Sequence, residues 1–368
     1  MEDPKQDHAG APAFAIEPPD PPNDGILFVD HAATGRGGHL GHALVEVEPG
    51  HILAFYPNCS DRSNGHTGDG WMEYKRSEDG GRSWSEPVVL PYSKDVYESG
   101  ENRAVMCEKA VRTAEGSILL FNFEHENTEA HNWRWKPITV PTCIQSNDGG
   151  HTWSSPRKVG DENGRIWDAL IHEGTIYVLE LFNDSRENWY GCSPKHHYSL
   201  YVSTDNGMTF SRRSILPFDI MGRGYGTMEI LPDGNLIAYV YNTKDEKNLE
   251  YVISADSGHT WSAPRQSFFA KQIRNPQMAA FRGGYVLHGR SGSYGEADIK
   301  GHFVLYTSPD GIHWDEGRYL QIRTAGAGAY SNNLLVHDPD GKNPPRLLIQ
   351  ASHAYDKSKT NVHHWWLT

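Results

Sequence analysis

Apolar residues fall in short runs of roughly four to eight positions, the length and spacing of β-strands rather than of helices. Ala43 to Val47, His51 to Phe55 and Met72 to Ser77 form one such series, and Pro87 to Leu90 completes it as a unit of four strands. Later units repeat the plan, with inner strands near Ala104, Ile166, Gly226, Gln277 and Ser331. The sixth unit has Ser331 to His337, Arg346 to Ala351 and Val362 to Leu367, and lacks a fourth strand. The unpaired run Gly25 to Asp30 can supply it, joining the two ends of the chain and removing exposed sheet edges.

Between the third and fourth strands of each complete unit stands one short pattern. It reads Ser77-Glu-Asp79-Gly-Gly81-Arg-Ser-Trp84, then Ser146-Asn-Asp148-Gly-Gly150-His-Thr-Trp153 and Ser203-Thr-Asp205-Asn-Gly207-Met-Thr-Phe210. Ser254-Ala-Asp256-Ser-Gly258-His-Thr-Trp261 follows, and Ser308-Pro-Asp310-Gly-Ile-His-Trp314 is one residue shorter. The serines are 69, 57, 51 and 54 residues apart, about one four-stranded blade each. The prediction is an all-β chain: a six-bladed β-propeller in one domain over residues 25–368, its ring closed by the N-terminal strand. Residues 1–24, rich in Pro, Ala and Asp, read as a disordered or loosely attached tail. In each box the Asp accepts hydrogen bonds from the turn, the Gly takes a positive φ, and the aromatic ring packs onto the sheet. The box aspartates are therefore expected to be structural.

Composition narrows the possible partners. The 37 glycines, 22 prolines, 11 tryptophans and 18 tyrosines suit short strands and many turns. A net charge of −13 offers no footprint for a phosphate backbone, so nucleic acid is not an expected partner. No stretch approaches the roughly 20 apolar residues of a membrane-spanning helix. Cys59, Cys107, Cys143 and Cys192 are too scattered for a disulfide scaffold or a metal cluster, although one or two bridges stay open. The first 24 residues lack the apolar core of a signal peptide. The chain is expected to be cytoplasmic, or secreted or periplasmic if a signal was trimmed; composition does not fix its oligomeric state.

The boxes resemble the Asp-boxes of the sialidase (neuraminidase) superfamily, and the resemblance runs over nearly the whole chain. It implies an acid/base Asp just before the third strand of blade one, where Asp69 stands, with Asp61 as a substitute. It also implies a tyrosine nucleophile opening the last blade, where the sequence reads Ala329-Tyr330-Ser331-Asn-Asn-Leu334. That tyrosine is an exception to the paired-carboxylate scheme of glycosidases. The resemblance breaks at the three arginines that hold a substrate carboxylate. The first position falls in Gly38-His39-Leu40-Gly41-His42, the second is Tyr241, and the third has Lys300 as its nearest cation. Tyr225 stands where a glutamate would polarise the tyrosine.

Other cations of the same face could rebuild an anion site. Arg62, Arg103, Arg223, Arg274 and Arg290 are the binding candidates, with His39, His66, Asp168, Tyr225, Tyr241, Gln277 and Lys300 beside them. His42, nearest the place of the first arginine, is a candidate proton shuttle. No His-x-His or His-Glu-x-x-His spacing calls for a metal, and no cofactor is expected. The resemblance thus implies a carbohydrate-active enzyme that hydrolyses a terminal, possibly acidic, sugar of a glycan with Asp69, Tyr330 and His42. A polysaccharide lyase cleaving next to a uronic acid, and a non-catalytic glycan-binding propeller, are the alternatives.

Overall fold

The computed structural model describes residues 10–38, 40–60, 69–101, 103–126, 140–183, 193–292, 302–322, 328–356 and 359–368. Six antiparallel sheets follow one another along the chain. Blade one comprises Ala43–Glu48, His51–Cys59, Gly70–Ser77 and Val88–Val89, and blade two Arg103–Arg112, Ile118–Glu126, Thr142–Ser146 and Arg157–Lys158. Blade three holds Gly164–His172, Thr175–Phe182, His197–Ser203 and Ser211–Leu216. In blade four the strands are Arg223–Ile230, Leu236–Asn242, Asn248–Ser254 and Arg265–Phe268; in blade five, Arg274–Phe281, Gly284–Ser291, His302–Ser308 and Arg318–Gln321. Blade six has Ser331–Val336, Arg346–Asp356 and Lys359–Leu367. Each blade's first strand is innermost, and successive inner strands touch all the way round, blade six against blade one included.

The ring closes where the hydrophobic pattern places the closure. Ile26–Val29 pairs antiparallel with the last strand, Ile26 opposite His364 and Leu27 opposite His363. Residues 15–24, set apart by the sequence as a tail, attach as well. Ile16–Glu17 pairs with the same strand, Ile16 opposite Leu367, and Ala15 and Thr368 exchange two backbone hydrogen bonds of 2.8 and 2.9 Å. Two residues between proline-rich flanks are too few to show alternation, so the pattern does not reveal this strand. It also does not reveal the helix Pro91–Glu98 between blades one and two, which starts with proline in its first turn, where the missing N–H costs nothing. Its buried Ser93 accepts from the Met72 amide and donates to the Val105 carbonyl, tying the two blades together.

The boxes act as both turn and bolt. In the third, Asp205 accepts from the Thr209 amide at 2.9 Å and hydroxyl at 2.6 Å and from Ser203 at 2.7 Å, and Gly207 has φ 80°. Each box then presents a carbonyl to the preceding blade. Tyr74 donates to Gly150, Arg157 to Gly207, Ser214 to Gly258, Tyr239 to Gly311, and Arg346 of blade six to Gly80. Middle strands such as Leu236–Asn242 are buried along their whole length because neighbouring blades cover both faces. Cys59, Cys107 and Cys143 are buried and free, so none of these three forms the bridges left open by the sequence; Cys192 lies outside the described residues.

Candidate active site

Tyr330 precedes the inner strand of blade six. Its backbone is clamped to Ser352, whose carbonyl holds the Ala329 amide at 2.7 Å and whose hydroxyl holds the Tyr330 amide at 3.1 Å. Ala329 has φ 61°, a left-handed conformation that non-glycine residues seldom adopt and that turns the chain sharply into the strand. The buried phenol of Tyr330 lies 2.7 Å from that of Tyr225, which enters from the inner strand of blade four. Tyr225 stacks on Tyr241 at 5.8 Å, and Arg290 lies over the Tyr330 ring at 5.6 Å.

Two arginines of blade five flank this cluster. Arg274 donates to the Tyr241 hydroxyl at 3.3 Å, and its Nε lies 3.2 Å from Glu246 of the blade-four loop. Burial pushes the Tyr241 phenol up, opposed by the charge of Arg274, and burial likewise raises Glu246 against Arg274 and Arg290. Arg290 is only 6% exposed, yet among the described residues its guanidinium forms no hydrogen bond or ion pair. On the opposite side Arg165 is stacked over Phe123, Trp167 and Tyr225 and bound to Glu108 at 3.0 Å through Nε. Glu108 occupies a bulge of the blade-two inner strand; burial pushes it up to about 7 against the pull of Arg165.

Several expected binding residues have other employment. Asp168 forms an ion pair with Lys109 at 2.8 Å and accepts from Thr227 and from the Met228 amide. Lys109 also reaches Asn332 at 3.0 Å and Gln277 at 3.4 Å, so this ammonium ties four inner strands together at the middle of the ring. Asp168 and Gln277 therefore face Lys109, where substrate contact was expected of them. Arg223 is held by Glu250 and Asn242, and Arg103 by Glu101 and Glu124.

His42 is buried at the seam between blades one and six, its Nδ1 3.0 Å from Gln350, which also contacts His364. Asp69 receives a hydrogen bond from Ser60 at 2.7 Å and interacts with Tyr97; its partners do not include Tyr330. Trp71 carries Lys94 over its ring at 3.5 Å and Arg36 at 4.6 Å, so cations occupy its faces. His39, Arg62, His66 and Lys300, with Asp61, lie outside the described residues. Among the described residues no cluster of His, Cys, Asp and Glu could hold a metal ion. Surface cavities beside Arg346 and Asp148 lie on the box rim and contain none of the tyrosine cluster.

No family model and no curated protein matches the chain. Solved structures do. A Dyadobacter fermentans protein of unknown function superposes with a TM-score of 0.68 at 15% identity, covering 93% of this chain and 97% of its own. A Hadza microbial sialidase gives 0.67 at 14% identity, covering 92% of this chain and 68% of the other. The fold is the sialidase-type propeller. It also matches a Penicillium chrysogenum α-L-arabinanase complexed with arabinobiose, at 0.58 and 13% identity with 98% of each chain covered. The likeness is one of fold alone. Within the sialidase-type frame Tyr225, a departure from the family pattern, packs against Tyr330, and Tyr241, another departure, stacks on Tyr225. Glu246, Glu108 and Lys109 went unread: the first is a charged residue in a polar loop, and the other two sit in an apolar strand whose bulge shifts the alternation.

Proposed function

We propose that this protein is a carbohydrate-active enzyme that cleaves the glycosidic bond of a terminal acidic sugar, with Tyr330 at the reacting carbon. The observation that carries the reading is the Tyr330–Tyr225 phenol pair beside Arg290, a buried guanidinium with no ion pair among the described residues. A bidentate cation so placed suits a sugar carboxylate. In hydrolysis Tyr330 Oη forms a bond to the anomeric carbon as the bond to the leaving oxygen breaks. Its proton passes through the hydroxyl of Tyr225 toward solvent, and Asp69 protonates the leaving oxygen. Water then replaces the tyrosine, giving a proton to Asp69, and the departing Tyr330 phenolate regains its own proton from solvent through the Tyr225 hydroxyl. A neutral phenol approaches an anionic sugar without charge repulsion.

Tyr225 also supports elimination. An ionised glutamate at this place could only accept a proton from Tyr330; the Tyr225 phenol can also give one to a leaving oxygen, as elimination requires. Tyr330 as phenolate takes the C5 proton next to a uronate carboxylate, the C4–oxygen bond breaks, and Tyr225 protonates the leaving oxygen before recovering a proton from Tyr330, which gives an unsaturated sugar. The test is a panel of aryl sialosides, aryl uronides, neutral aryl glycosides and uronate polymers, followed in the near ultraviolet for the unsaturated product. Turnover lost in Tyr330→Phe, with Asp69→Asn impaired only in glycoside hydrolysis, supports hydrolysis; an absorbing product formed without Asp69 supports elimination. No turnover on any of them, with glycan binding intact, moves the protein to the binding modules.

A further inference from the structure

Among the described residues, two oppositely charged groups on the tyrosine rim stand close together without pairing. Arg290, at the end of the second strand of blade five, is 94% buried by residue exposure, and its Nε has no partner. Glu246, in the loop between the second and third strands of blade four, has a side chain 9% exposed. Its Oε1 faces Arg274 at 3.2 Å, and its Oε2 is buried with no partner. Arg290 lies opposite Arg274 in the blade-five ladder, beside the Glu246 carboxyl that Arg274 faces, and its charge acts on that carboxyl. An unpaired buried charge is costly, and a bound ligand that satisfies both groups removes the cost.

We infer that Arg290 and Glu246 together select sugars that carry a carboxylate with a hydroxyl on the neighbouring ring carbon, the arrangement of a hexuronic acid. This rests on the reading of the Tyr330 cluster as the sugar site. The guanidinium takes the carboxylate, and the Glu246 carboxylate, which only accepts, takes the proton of the adjacent hydroxyl. Its terminal torsion is soft, so either oxygen can turn to such a donor while Arg274 keeps the other. A sialic acid glycoside lacks that donor, because the ring carbon next to its carboxyl-bearing carbon is a methylene on one side and the ring oxygen lies on the other. Neutral sugars lack the anion. Glu246 thus separates two classes of acidic sugar that an arginine alone would treat alike.

The experiment is calorimetric titration of the full chain with methyl glucuronide, methyl glucoside and the methyl ketoside of N-acetylneuraminic acid. The glucuronide is expected to bind about 10- to 100-fold tighter than either competitor, the range of a charge-assisted hydrogen bond. Arg290→Met removes the preference for acid over glucoside. Glu246→Ala keeps that preference and removes the preference for glucuronide over ketoside, and Glu246→Gln, which retains an acceptor oxygen, restores part of it. Melting curves identify variants that fail to fold, and the Gln variant then decides alone. Equal binding of the two acids by the wild type, or no change in either Glu246 variant, overturns the inference. Tyr330→Phe should still bind glucuronide, so selective binding with no cleavage of any glycan would leave this subsite standing and remove the cleavage reading.

Discussion

The two rims of the propeller treat polar groups in opposite ways. On the box rim every aspartate is saturated: Thr209 holds the Asp205 carboxyl down at about 2 through its hydroxyl and amide, and Ser203 adds a third bond. On the tyrosine rim burial pushes Tyr241, Glu246 and Glu108 up, and Arg290 and Glu246 keep atoms without partners. A repeated turn can satisfy its own groups, and so it stabilises the fold and has nothing left for a ligand. The tyrosine rim draws side chains from blades two to six and leaves atoms of Arg290 and Glu246 without partners among the described residues. The proposed chemistry uses the second rim.

The largest effect that would sharpen this contrast is Tyr330→Phe. Activity on the best substrate should fall at least about 100-fold, the low end for losing a group that acts on the reacting atoms, with the melting temperature unchanged. A Tyr330→Phe enzyme that keeps its rate would break the contrast at once.

Lys109→Met tests the middle of the ring, which belongs with the box rim in having its charges matched. It leaves Asp168, 2% exposed, without its counter-ion, and removal of one partner of a buried pair typically costs about 3–5 kcal/mol. Denaturant titration should show that loss, and Lys109→Met with Asp168→Asn should recover part of it. If Lys109→Met left stability intact, the ion pair would not be holding the inner strands.

Asp205→Ala should lower the melting temperature by a few degrees while kcat/KM of the folded protein stays within about twofold. A fall in kcat/KM matching that of Tyr330→Phe would erase the distinction between the rims.

The smallest effect is a pH slope. Burial, with help from Lys109, lowers His288 from 6.5 to about 3. A depressed pKa means the folded state resists protonation, so the stabilisation is complete above pH 6.5 and declines as pH falls toward 3. The box carboxyl of Asp205, lowered from 3.8 to about 2, gives up its share only in that lower window. Acid melting should therefore come in two stages, with the first made shallower by His288→Asn. A single transition near pH 3, identical in that variant, would contradict it.

Legibility followed the same division. The box spacing and the short apolar runs disclose blades, inner strands and the Ile26–Val29 closure, because each depends on local turn chemistry repeated along the chain. Tyr330 is legible through its resemblance to a sialidase segment, and Arg274 and Arg290 through their places on the rim. Which arginines are free for a ligand is not legible, since Arg223 and Arg290 look alike until Glu250 is seen against one of them. The pairing of Asp168 is hidden for a similar reason: its partner Lys109 stands 59 positions earlier in the chain, in a strand whose bulge conceals which way the lysine points.

The clasp between Ala15–Val29 and the final strand has a consequence for biosynthesis. Ile26 meets a partner, His364, that lies 338 positions later, so this strand stays unpaired until residues 359–367 have been made. Blades one to five can form from neighbouring segments as they emerge, each contact closing a short loop. The sixth blade cannot be completed in that way, because its outer strand comes from the other end of the ring. Until then the ring is an open arc with Phe28 uncovered at one end, and closing it means bringing that residue to Lys359–Leu367.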